Sequence, residues 1–177
     1  WPGEDCSEPD TDPKDFNGHG TNCAGIAGAV TNNSTGACGL AGGWGGGKGP
    51  YRGPRIMCIR VGGSAVDNGY EGGYVNSANC ASGIDYAVMN GAVAINASWG
   101  SSDTPAMRAA CNNANDSGVV IAHAAGNDNS GAGSFLDSYM WRGYRVGMSV
   151  ASTDAGDHKS SFSNYGVWIS VSAPGTN

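Results

Sequence analysis

The sequence predicts an α/β fold built on a parallel sheet, and three observations carry that expectation. Short apolar runs at residues 56–61, 93–98 and 119–125 alternate with two segments of helical period. The runs at 93 and 119 are apolar almost without interruption, as in strands covered on both faces, whereas half-exposed strands alternate apolar with polar. The chain has 31 glycines and only 14% charged residues, a balance that suits a packed domain of many tight turns and not a disordered segment.

Taken in chain order, the first element is a helix that His19 opens, leading into the small apolar stretch 23–30. The low-complexity stretch GGWGGGKGPYRG at 42–53 reads as an exposed loop joining that helix to a strand at 56–61. Cys80, Ile84, Ala87 and Val88 then form one stripe of a helix over 76–90, which Asn90-Gly91 stops. The strand at 93–98 follows. Thr104-Pro105 reads as N-cap and first helical position, with Met107, Ala110, Cys111 and Ala114 at i, i+3, i+4 and i+7, and Ser117-Gly118 ends the helix. Strands at 119–125, 144–151 and 167–171 complete the set, and no internal repeat is present.

Composition narrows the function. With 177 residues the chain is about the size of one domain, or part of one. A net charge of −6 without any Lys/Arg cluster argues against nucleic acid, whose binding rests largely on neutralising phosphates. No apolar run is long enough for a membrane helix, and the opening WPGEDCSEPD has neither the basic nor the apolar part of a signal peptide. Cysteines at 6, 23, 38, 58, 80 and 111 form no CxxC pair, which disfavours zinc and thioredoxin chemistry. Their even number is compatible with disulfides in an oxidising compartment, but the pairing stays open, and some, such as Cys58, read equally well as buried thiols.

Ligands of an open parallel sheet bind beyond the carboxyl ends of its strands. There the sequence places Ser98-Trp99-Gly100 after one strand and Gly126-Asn127 after the next, where glycine admits a close backbone approach and the asparagine amide offers a donor. The third feature is Asn17-Gly18-His19-Gly20-Thr21. A histidine at a helix start is favoured in its neutral form, as a general base must be. By spacing alone, however, His19 reads first as a helix-capping or core histidine.

Order and context single these residues out. His19-Gly20-Thr21-Asn22-Cys23-Ala24-Gly25 resembles the HGTxxAG motif of the subtilase family of serine proteases, with Cys23 where proteinase K-like members also carry cysteine. Asn96-Ala97-Ser98-Trp99-Gly100 is similar to the family's N-x-S-x-G segment, and Ala124-Ala125-Gly126-Asn127 to its AAGN motif. Ser161 to Gly166 contains FSNYG and residues 173–175 are APG, two signatures that precede the nucleophile in that family. The resemblance spans residues 17–175 and implies a three-layer parallel-sheet fold, of which residues 1–177 would be the central segment. It further implies a secreted endopeptidase acting on polypeptides, with no organic cofactor. His19 would be the general base and Asn127 the oxyanion-hole donor. Ser98, Trp99 and Gly100, with Ala124, Ala125 and Gly126 opposite, would bind substrate backbone and line the specificity pocket. Trp99 is bulkier than the leucine common there, which leaves the pocket's shape open. The turn at 31–37 resembles a calcium loop, with ligands from Val30, Asn33, Thr35 and Ala37, although the carboxylate that relatives supply from upstream is absent.

Two members of the triad are not found. Asp5, Asp10, Asp12 and Asp15 lie too near His19 and lack a D-T-G or D-S-G context, and no G-T-S-M-A follows APG, since Gly175-Thr176-Asn177 shares its glycine with APG. Ser161 and Ser163 belong to a structural turn. His123, inside a strand, reads as a core residue and His158, in DAGDHKSS, as a solvated one. The expectation is therefore that this chain alone is inactive and that flanking sequence or another chain supplies the aspartate and serine. The alternative is a non-catalytic, protease-like binding domain, against which stand the intact His19 and Asn127 motifs. A nucleotide site is disfavoured, because GGWGGGKGPYRG precedes a strand and has no helix N-terminus to hold phosphate.

Overall fold

The structure, a computed structural model, describes residues 12–45, 53–67, 70–131 and 147–176. It falls into two compact units, residues 1–74 and 75–177.

In the first unit, helix α1 spans His19–Gly28. Its N-cap, Gly18, has φ +86°, a conformation open to glycine at little cost. At the other end the amides of Leu40 and Ala41 donate to the carbonyls of Ile26 and Ala27, each at 2.9 Å, so the returning chain satisfies acceptors that a helix end leaves free. That chain lies so close that a Cβ on Gly42 would sit 1.7 Å from the Ala29 oxygen. Residues 56–61 do not form the expected strand. The unit's two-stranded sheet instead pairs β1 (Gly62–Asp67) with β2 (Tyr70–Val75). A strand exists only through its ladder partner, and an apolar run cannot say whether one is available. Cys58 is exposed, contrary to its reading as a buried thiol; Cys80 and Cys111 are the buried ones, and all five described cysteines are free thiols.

The second unit holds the parallel sheet. Helix α2 (Ser77–Met89) is capped by Asn76, whose Oδ1 accepts from the amides of Ala78 and Asn79. Helix α3 (Pro105–Asp116) is capped by Thr104, whose hydroxyl accepts from the Met107 amide. The predicted stripe Met107, Ala110, Cys111 and Ala114 is wholly buried, as are Cys80, Ile84 and Ala87 of α2, while Val88 is half-buried. Burial of a side chain such as Met107 contributes about 1.5–3 kcal/mol. Asn113 Nδ2 donates to Asp85 Oδ1 at 2.7 Å and ties the two helices in register.

Strands β3 (Ala94–Ala97), β4 (Val120–Ala124), β5 (Met148–Thr153) and β6 (Val171–Pro174) pair in that order, every pair parallel. The start of the expected 144–151 strand lies outside the described residues, and the last strand begins at Val171, not at 167, because 166–168 form a bend and turn before it. Across the sheet Ala97, His123 and Ser149 stand side by side, and all three are buried on the side where the helices pack. On the opposite face, among the described residues of this unit, Ala94, Asn96, Val120 and Ala124 are exposed while Ala122, Met148 and Val150 are half-buried. One face of this sheet is thus covered among the described residues of the unit.

Candidate active site

Because β3 and β4 are adjacent and parallel, with Ala97 beside His123, the segments that follow them leave the sheet at the same end. Ser98-Trp99-Gly100 and Ala124 to Asn127 are thereby brought together at the carboxyl edge, where the sequence placed them. Asn96 Nδ2 donates to Ser98 Oγ at 2.9 Å, so the first and third residues of the N-x-S-x-G segment hold each other. Gly126 has φ +97°, and a Cβ there would meet Asn164 Nδ2 at 2.5 Å, so both backbone conformation and crowding require glycine. Asn127 is exposed, and among the described residues its carboxamide makes no internal hydrogen bond. The APG segment closes β6 at this same end, with the Gly175 amide donating to the Thr153 carbonyl at 2.9 Å.

His19 belongs to the first unit, where it is the first residue of α1 and exposed. Cys23 Sγ lies 4.0 Å from its Nδ1, one helical turn on. The helix start is organised by Asp15. Its Oδ1 accepts from the amides of Asn17 at 3.0 Å and Gly18 at 2.8 Å, and its Oδ2 from the amide and hydroxyl of Thr21 at 2.7 and 2.8 Å. The threonine of the H-G-T motif therefore answers a carboxylate that its sequence context excludes from the triad. That exclusion does not conflict with what the structure assigns Asp15, the anchoring of the turn that presents His19. An Asp a few residues ahead of an Asn-Gly pair is a turn signal available in the sequence.

Burial would raise the Asp15 carboxyl, but the hydrogen bonds from Thr21, Gly18 and Asn17 together outweigh it and bring the carboxyl down to about 2. A carboxyl depressed below its unfolded value of about 3.9 contributes stability that is complete above that value and lost as pH falls through the folded one. Asp15→Asn is therefore expected to lower the melting temperature at neutral pH, by a cap's worth of about 0.5–2 kcal/mol. Between about pH 4 and pH 2 its melting temperature should converge on that of the parent. Thermal unfolding followed by circular dichroism across that range checks this; parallel curves would remove Asp15 from the role.

The other sequence candidates separate. Ser163 is buried, its Oγ accepting from the Ser152 amide and donating to the Asn164 carbonyl, and it belongs to the turn, not to chemistry. His123 is 2% exposed in β4, and His158 is solvated, with Nδ1 3.4 Å from Asp154. In the turn at 31–37, Asn33 Oδ1 accepts from the Thr35 amide and Thr35 Oγ1 donates back to the Asn33 carbonyl. Among the described residues no three His, Cys, Asp or Glu side chains gather as metal ligands. Calcium takes 6–8 oxygens, usually with carboxylates among them, so this donor set fits it poorly and no chemistry is routed through it. Among the described residues no helix is long and apolar enough to cross a membrane.

Comparison with known proteins gives the family. The sequence profile of the subtilase family, peptidase S8, matches residues 2–177. Thermitase from Thermoactinomyces vulgaris is 41% identical over 177 residues, which cover 98% of this chain and 55% of thermitase. The thermophilic serine proteinase of Bacillus sp. (strain AK1) is 36% identical over 176 residues, 99% of this chain and 38% of that one. Among solved structures, a cold adapted subtilisin-like serine proteinase aligns with a TM-score of 0.50 at 31% identity, over 58% of this chain and 37% of its own. The chain thus spans about half the length of thermitase and less of the others.

Proposed function

Since this chain belongs to the subtilase family and has its α/β fold, we propose that it is the central part of a catalytic domain that hydrolyses peptide bonds through an acyl-enzyme. The observation that supports the proposal is the shared carboxyl edge of β3 and β4, where Ser98 to Gly100 and Ala124 to Asn127 end or leave the sheet; in this reading the two segments form the walls of one cleft. In this reading a serine from the sequence that relatives carry beyond APG attacks the substrate carbonyl. His19 takes the serine proton and returns it to the amine as the C–N bond breaks. The Asn127 NH2 donates to the oxyanion while the carbonyl carbon is tetrahedral. Water then repeats the sequence on the ester. The substrate is polypeptide, and secretion is part of the same proposal. Calcium at Val30, Asn33, Thr35 and Ala37 is a separate proposal, which rests on the resemblance alone and would need further oxygen ligands from outside this turn.

The acid and the nucleophile come, in this proposal, from flanking segments or a second chain, a reading supported by the greater length of the relatives. Its test is an active-site-directed fluorophosphonate. The 177-residue segment by itself is expected to take no label and to cleave no peptide. Extended on both sides by the natural flanking sequence, it is expected to be labelled at one serine and to cleave. Stoichiometric labelling of the segment alone would refute the division of the triad. An unlabelled, inactive extended protein would establish the binding-domain alternative.

A further inference from the structure

We infer that Asn164 is a positioning residue for Asn127, acting as a buried clamp on the loop that carries the oxyanion donor; this rests on the role proposed for Asn127. Past Ala125, whose amide donates to the Val150 carbonyl at 3.0 Å, the loop after β4 has neither helix nor ladder to hold it, and it passes through two left-handed residues, Gly126 at φ +97° and Asn129 at φ +48°. What holds it is the segment 162–165. Asn164 Oδ1 accepts from the amides of Asp128 at 2.9 Å and Ser130 at 3.0 Å, and Nδ2 donates to the Ala125 carbonyl at 2.9 Å. Its backbone amide donates to the Gly126 carbonyl at 3.0 Å. Asn127 is thus bracketed on both sides by groups bonded to a single residue, which is itself 3% exposed.

The bonding needs a carboxamide. One end must accept two amides and the other donate to a carbonyl, a combination offered by Asn and Gln alone among short polar side chains. A carboxylate would lose the donor and set a second negative charge beside Asp128, whose Oδ2 is 3.4 Å from Nδ2. The surrounding bonds run the same way. The Asn129 amide donates to the Phe162 carbonyl at 2.7 Å and the Tyr165 amide to the Ser130 carbonyl at 3.0 Å. Lys159 Nζ donates to Asn129 Oδ1 and to the carbonyls of Ser160 and Ser163. An oxyanion donor acts only where it is already in place when charge develops, so loosening its loop should slow the chemical step and leave substrate binding nearly untouched.

The experiment is a double-mutant cycle on the protein extended to include its acid and nucleophile. Asn164→Ala is expected to lower kcat by between about 10- and 100-fold with KM little changed. In the Asn127→Leu background the same substitution is expected to have no further effect on kcat, because the donor it positions is gone. Should Asn164→Ala not fold, Asn164→Ser, which keeps a shorter acceptor, goes through the same cycle. Equal losses of kcat in both backgrounds, or an unchanged kcat with Asn127 present, would overturn the inference. If Asn127→Leu alone leaves kcat unchanged, the oxyanion role itself fails and the inference falls with it, a result distinct from either of the others.

Discussion

Replacing His19 with alanine, in the protein extended to hold a complete triad, is expected to lower kcat by about 10⁶-fold with KM little affected. That magnitude is the one measured for the catalytic histidine of a subtilisin, carried over to His19 as the base proposed for the same reaction. The physical reason is that a serine hydroxyl is a weak nucleophile at its free pKa and needs an adjacent base, while the leaving amine needs the same proton back. His19 is suited to both tasks by its place. It is exposed at the first position of α1 between two glycines, on a turn that Asp15 holds through four hydrogen bonds. Substitution removes the base without disturbing those bonds, so the variant should unfold at nearly the parent temperature. Single-turnover kinetics with a peptide ester, alongside thermal unfolding, check both halves. A variant that keeps more than about a hundredth of the parent rate would exclude His19 as the base.

Asn127→Leu should be the second largest effect, a loss of about 10²–10³ in kcat, or roughly 2.7–4 kcal/mol of transition-state stabilisation. Here too the figure comes from a subtilisin. Leucine preserves the shape and removes the NH2, so the change isolates the hydrogen bond. Since in the proposed role the bond is made to the oxyanion and not to the ground-state carbonyl, KM should hold and kcat should fall. A rise in KM at constant kcat would make Asn127 a substrate-binding residue and not a catalytic one. Asn127 is exposed beyond β4, and its removal should leave the buried rows of the sheet and the melting temperature unchanged.

The elements legible in the chain are those whose signal is local. For α3 the cap, the proline at its first position and all four core residues are readable, because a 3.6-residue period and an N-cap are written within a few neighbours. The strands β3 and β4 are readable for the same reason, and with them the edge at which Ser98 to Gly100 and Asn127 emerge. Residues 56–61 show the limit. Their apolar, β-branched run is locally like that of β4, yet it has no ladder partner among the described residues, and partnership is a property of distant segments. Cys58 is exposed against expectation for a related reason, since burial depends on what packs over a residue and not on its type.

The residues of the proposed site divide along the same line. His19, Asn127 and the glycines beside them can be named from the one-dimensional order of short motifs, since each motif encodes its own turn or cap within about ten residues. Asp15 and Asn164 gain their roles only in three dimensions. The sequence sets Asp15 outside the triad, and its grip on Thr21 appears only when the helix start folds back on it. Asn164 reaches Asp128 across 36 residues of chain, and nothing within either segment points to the other. Local steric and hydrogen-bonding preferences are carried by neighbours in the chain and can be read there. A clamp between two loops depends on a sheet that first brings their strands into register, so it exists only once the tertiary fold has formed.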